Sequence, residues 1–156
     1  MTPRQIRILI VIVIVVAAGM LAVSRLGTHT HDATLRGWYQ DAGGYAQAVE
    51  EQRRTGRPIA VYFYTQWCES CKKFRESVLT AAPVKSYLQE YLTVHIDLEA
   101  GPNEAQLGSE FGVVGFPAFY IKARADRAAV NILRTTEQTP EDFMEICRAE
   151  RARQAI

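Results

Sequence analysis

Residues 59–71 read Ile59-Ala60-Val61-Tyr62-Phe63-Tyr64-Thr65-Gln66-Trp67-Cys68-Glu69-Ser70-Cys71. Ile59–Thr65 is a nearly unbroken apolar run rich in β-branched and aromatic residues. That pattern predicts a strand buried on both faces, as the centre of a sheet covered by helices requires. Two cysteines follow at C-x-x-C spacing. A helix opening at the first cysteine would aim unpaired backbone N–H groups at its sulfur and favour the thiolate. The thiolate is the form that attacks a disulfide. The second cysteine, about one helical turn further on, lies within reach of the mixed disulfide so formed. Cys68 is therefore read as the nucleophile and Cys71 as the resolving thiol. Lys72, Lys73 and Arg75 add positive potential nearby, and Glu69 opposes it.

Outward from this centre the chain alternates elements. Tyr45–Arg54 has an apolar face of Tyr45, Ala48 and Val49 and reads as a helix, which Gly56 and Pro58 end. Helices are expected over about 71–79 and 83–91, then a strand at Leu92–Ile96 ending at Asp97. A short helix over Glu104–Phe111 precedes strands at Pro117–Lys122 and Ala128–Leu133. Thr139-Pro140-Glu141-Asp142 is a strong helix start, with an N-cap threonine, proline at the first helical position and acids in the first turn. Phe143, Ile146 and Cys147 give that helix its apolar side. Parallel crossovers followed by an antiparallel pair imply a small α/β sandwich with a central mixed sheet.

The N-terminus is of another kind. Ile8–Val23 is a run of apolar or small residues without a charge, bounded by Arg7. With Ile6 it approaches the about 17–20 residues a bilayer crossing needs, provided Arg7 snorkels to the headgroups. A cleaved signal peptide is the alternative, with Ala22-Val23-Ser24 as its small-x-small site. The length of the run and Arg25 directly after the site favour an uncleaved transmembrane helix. Arg4 and Arg7 then stay in the cytoplasm, and the rest is exported. The expected organisation is a membrane segment over 1–24, a linker over 25–40 and a folded domain over 41–156. The expected location is the bacterial inner membrane, single pass, with the domain in the periplasm.

Charge and cysteine content exclude other classes. The formal net charge is +1, and no basic field or acidic tail exists, so no nucleic-acid partner is expected. Three cysteines are too few for a disulfide framework. Half a zinc site is the main competitor for the C-x-x-C pair. The other ligand candidates are Cys147, His95, His29 and His31, and none has the paired spacing of a zinc ribbon. No metal and no cofactor beyond the cysteine pair is expected. Cys147 reads as a small buried hydrophobe, and His95 as packed or edge-exposed.

Three segments together resemble the thioredoxin superfamily. Trp67-Cys68-Glu69-Ser70-Cys71-Lys72 resembles its W-C-x-x-C-K centre, and Asp97 the acidic end of its next strand. Val113-Val114-Gly115-Phe116-Pro117 resembles its V-x-G-x-P segment. The resemblance implies that Pro117 is cis beside the cysteines and that Phe116 offers its backbone to an extended substrate. Gly56-Arg57-Pro58, Cys71-Lys72-Lys73-Phe74 and Pro83-Val84 are similar to the C-terminal thioredoxin-like domain of bacterial inner-membrane thiol:disulfide interchange reductases. That likeness covers roughly residues 45–135 and does not include a multi-span electron-transfer region. Tyr62 stands where thioredoxins bury an aspartate, and Arg75 where the reductase domain carries a glutamate. Both changes remove a carboxylate near the thiols.

The resemblance implies a disulfide reductase or electron-transfer thioredoxin. Its partners would be exported proteins with disulfides, or a membrane or periplasmic thiol carrier. Trp67, Phe116 and Pro117 would support substrate, and Glu69, Tyr62 and Lys72 would tune the thiols. A non-catalytic module that holds clients beside Pro117 is the alternative. A reductant for cytochrome c maturation fits less well, because the interval after the C-x-x-C leaves little room for the usual insertion.

Overall fold

The computed structural model describes Gln5, residues 33–133, Thr135 and residues 137–154. The apolar run at 8–23, the cleavage candidate at 22–24 and the histidines at 29 and 31 lie outside the described residues. No helix among the described residues is long and apolar enough to cross a membrane.

A 3-10 turn at Ala33–Leu35 leads into β1 (Tyr39–Gln40), and α1 spans Asp41–Thr55. The central strand β2 is Ile59–Tyr64. Next comes α2 (Glu69–Phe74), continued by a π-helical turn at Arg75–Leu79, and then α3 (Ala82–Leu88). The rest is β3 (Leu92–Asp97), α4 (Pro102–Glu110), β4 (Ala118–Lys122), β5 (Val130–Asn131) and α5 (Pro140–Gln154). The sheet order is β1-β3-β2-β4-β5. β1 and β2 run parallel to β3, whereas β4 is antiparallel to β2 and β5 to β4.

All six residues of β2 are buried. Because side chains alternate along a strand, β2 serves two cores. Ala60, Tyr62 and Tyr64 face a cluster with Phe74, Leu79, Val84, Phe119 and Phe143, drawn from α2, its π turn, α3, β4 and α5. Ile59, Val61 and Phe63 face a second cluster with Ala48, Val94, Ile96 and Leu107, drawn from α1, β3 and α4. Phe63, Phe111 and Tyr120 lock the second core edge to face, with centroids 5.0–5.7 Å apart.

Several boundaries differ from the sequence expectation. The stretch read as linker already belongs to the domain from residue 33: Leu35 is buried in the first core, and Tyr39 and Gln40 pair with Val94 and His95. The first helix starts at Asp41, not Tyr45, because α4 caps it: Glu104 Oε1 accepts the Ala42 N–H at 3.1 Å. The strand expected over Ala128–Leu133 keeps only Val130–Asn131. There the Asn131 side chain turns back to accept the Leu133 N–H at 3.0 Å. At α5 the expected cap is present in reciprocal form: Thr139 Oγ1 accepts from Asp142 N–H, and Asp142 Oδ2 accepts from Thr139 N–H.

Candidate active site

β2 ends at Tyr64, and a tight turn closed by Cys68 N–H donating to the Thr65 carbonyl (3.3 Å) leads to Cys68. Cys68 is the N-cap of α2 and has extended backbone. Its Sγ accepts the Cys71 N–H at 3.1 Å, the bond a serine or aspartate oxygen makes at other helix starts. Cys68 and Cys71 form a disulfide, with sulfurs 2.06 Å apart. Cys71 is fully buried, whereas Cys68 keeps 4% of its surface, so any incoming sulfur meets Cys68 first.

The antiparallel register brings the second half of the site into place. Phe63 pairs with Ala118, which puts Pro117 at the sheet end where β2 delivers Cys68. The Phe116–Pro117 bond is cis. Ser70 joins the two halves: its Oγ lies 3.3 Å from Cys68 Sγ and 3.4 Å from the Phe116 carbonyl oxygen, to which it donates. The Trp67 ring meets Phe116 edge-on at 6.5 Å. Trp67 is 64% exposed, and Glu99 fixes its orientation by accepting the indole N–H at 2.9 Å. Trp67 and Val114 are the large apolar side chains left exposed among the described residues. An apolar rim thus adjoins the disulfide.

The candidate tuning residues separate. Tyr62 is fully buried beneath the site and donates its hydroxyl proton to the Cys71 carbonyl at 3.1 Å. Lys72 turns outward, and its Nζ meets Glu69 Oε1 at 2.6 Å. That bond holds the exposed Glu69 carboxyl below its usual range. The pair neutralises itself in solvent, so little of either charge reaches the sulfurs. Asp97 is buried at the end of β3, where it accepts from Gln66 Nε2 (2.9 Å) and Glu99 N–H (3.1 Å). It therefore shapes the loop carrying Glu99. His95 is buried and stacks on Tyr64 at 5.9 Å. Cys147 is buried in the first core, and burial pushes its thiol up to about 12. No group of three or more potential metal ligands occurs among the described residues. Ser70 and Glu99 are the site neighbours that sequence reasoning missed. Ser70 sits inside the C-x-x-C motif, but the spacing does not mark its reach to the Phe116 carbonyl, and Glu99 arrives from 32 residues away.

Comparison with known proteins agrees with this arrangement. Residues 37–122, more than half the chain, match the thioredoxin-like family.

The chain belongs to the thioredoxin-like family.

Within it, the chain is related to the thiol:disulfide interchange protein DsbD of Ralstonia nicotianae, with 32% identity over 89 residues. That match covers 56% of this chain and 15% of the relative. The protein disulfide-isomerase of Gallus gallus is 32% identical over 89 residues, again 56% of this chain and 16% of the relative. Among solved structures, the oxidised C-terminal domain of Neisseria meningitidis DsbD superposes with a TM-score of 0.61 at 23% identity. It covers 72% of this chain and 97% of that one. A Thermus thermophilus thioredoxin superposes with a TM-score of 0.57 at 22% identity, over 72% of this chain and 85% of that one. These superpositions show the shared fold. Over this segment the thioredoxin-like domain is related to thiol:disulfide interchange proteins, of whose length it spans about a sixth or less, and its Cys68–Cys71 pair is present as a disulfide.

Proposed function

We propose that this domain works outside the bacterial cytoplasm, tethered by residues 8–23, as a disulfide reductase or electron-transfer thioredoxin for exported proteins. The observation that carries the reading is Cys68 Sγ at the start of α2, 3.1 Å from the Cys71 N–H and beside the apolar rim of Trp67 and Phe116.

In the reduced protein, the Cys68 thiolate attacks one sulfur of a substrate disulfide. The bond between Cys68 and that sulfur forms as the substrate S–S bond breaks, and the departing sulfur leaves as a thiolate that takes a proton. Cys71, deprotonated, then attacks Cys68 Sγ and expels the second substrate sulfur, which also takes a proton. The substrate gains two electrons and two protons, and the protein ends as the Cys68–Cys71 disulfide. A dithiol donor must restore the dithiol form by the reverse exchange. The Cys71 N–H and the Ser70 hydroxyl can both bond to the sulfur of Cys68 when it is anionic. The Phe116–Pro117 segment, just before β4, and the exposed Trp67 offer an extended client a backbone edge and an apolar surface.

Reduction of insulin disulfides by the full chain with a dithiol donor tests the reading. Cys68→Ser is expected to abolish the catalysed rate, and equal rates would return the domain to a binding module. Equilibration with a glutathione redox series tests the direction. A potential below about −200 mV supports the reductase, and a value near about −120 mV would make it an oxidant.

A further inference from the structure

At the sheet end opposite the disulfide, a cavity of about 520 Å³ opens between the 33–38 segment, α3 and the first residues of β3. Arg36, Arg57 and Lys85 line it. None of the three has a carboxylate partner among the described residues, whereas the other ion pairs of the surface join Arg53, Arg54, Lys72, Arg124, Arg151 and Arg153 to acids. Arg57 is held in place by donating from Nη2 to the carbonyls of Gln89 and Tyr91, both at 2.8 Å. Its Nε and Nη1 remain for a ligand. The floor is apolar, formed by Leu35, Leu79 and Leu88, with Trp38 at the side. Three unneutralised cations above an apolar floor match an anion carried on a hydrocarbon body.

We propose that this cavity binds the phosphate headgroup of an anionic phospholipid. The choice of a lipid over free phosphate rests on the proposed membrane segment. Ten residues lie between Val23 and Thr34, so the span from one to the other extends at most about 40 Å. Thr34–Trp38, which forms one wall of the cavity, follows directly on that tether in the chain. A lipid held there leaves the disulfide at the far end of β2, about 20 Å away.

The chain has two tryptophans, Trp38 and Trp67. Full-length Trp67→Phe protein in a neutral detergent therefore reports on the cavity through Trp38 fluorescence alone. Short-chain phosphatidylglycerol is expected to give a saturable emission shift, and short-chain phosphatidylcholine none. Arg36→Gln with Lys85→Gln in that background should weaken the response about tenfold or more, as loss of charge-assisted bonds implies. Both side chains are exposed, so the fold should persist. The same pair of changes in protein retaining Trp67 should leave insulin reduction unchanged, because the cavity is remote from the sulfurs. Absence of a saturable response, or an equal response to phosphatidylcholine, overturns the proposal. Saturation by inorganic phosphate at the same concentration overturns the lipid and leaves a phosphate site. Loss of insulin reduction in the unsubstituted chain would sink the redox reading without touching this one.

Discussion

The Tyr62 hydroxyl donates to the backbone carbonyl of Cys71 across 3.1 Å, from the central strand to the first turn of α2. The same carbonyl accepts the helical Arg75 N–H. Tyr62 thus holds the resolving cysteine by its main chain. In Tyr62→Phe the ring still fills its place among Tyr64, Phe74 and Phe119, and the hydrogen bond to the Cys71 carbonyl is lost. The expected cost is about 1 kcal/mol, read as a lower urea midpoint with unchanged slope. A stability equal to that of the parent would show that the bond contributes nothing net.

Ser70 is the polar side chain closest to the attacking sulfur, at 3.3 Å. Once Cys68 is an anion, the Ser70 hydroxyl can donate to it and stabilise it. Ser70→Ala removes that donor, so the Cys68 thiol of the reduced protein should titrate at a higher pH. Alkylation of Cys68 near neutral pH should then slow several-fold, because fewer sulfurs are ionised. An unchanged pH profile of alkylation would show that the Cys71 N–H alone carries the stabilisation.

The centre of the fold was legible because β2 is buried on both faces and therefore apolar at every position. A strand of that kind announces itself without a partner. β1 did not, since two residues, Tyr39 and Gln40, carry no period. Its place depends on a register with Val94 and His95 over fifty residues away. Missing β1 left β3 as a candidate edge and so left His95 undecided, although it lies in an interior strand. The site followed the same division. Cys68, Cys71, Trp67, Phe116 and Pro117 lie in contiguous motifs. Ser70's reach to the Phe116 carbonyl and Glu99's hold on Trp67 arise from folding and have no signature in spacing.

Two adjacent glycines in α1 should respond oppositely to alanine. Gly43 is exposed, and a Cβ there would meet nothing within 4 Å. Gly43→Ala should stabilise by about 0.5–1 kcal/mol through helix propensity and reduced freedom of the unfolded chain. A Cβ on Gly44 would lie 2.9 Å from the Tyr39 carbonyl carbon and 3.1 Å from its Cβ. The backbone of β1 cannot rotate away as a side-chain tip could. Gly44→Ala should therefore push α1 off β1 and cost about 1–3 kcal/mol. Thermal midpoints moving in the same direction for both variants would contradict this packing of β1.

Cys147 gives a prediction in two parts. The thiol is fully buried, and burial raises its pKa from an ordinary value near 9 to about 12. In the reduced native protein at pH 8, a thiol reagent should therefore label Cys68 readily and Cys147 only after denaturant is added. The second part is a pH dependence. Between about 9 and about 12 the unfolded chain loses this proton while the folded protein keeps it. The unfolded state then binds fewer protons, so stability falls as pH rises through that window. For one such group the slope approaches about 1.4 kcal/mol per pH unit. Below pH 9 both states hold the proton, and the group contributes no slope. Cys147→Ala lowers stability at neutral pH by removing a buried sulfur, but it also removes this slope. The stability difference between parent and variant should therefore shrink as the pH is raised from 9 to 10.5. A difference constant over that range would mean that the sulfur ionises alike in both states and is not sealed in the core.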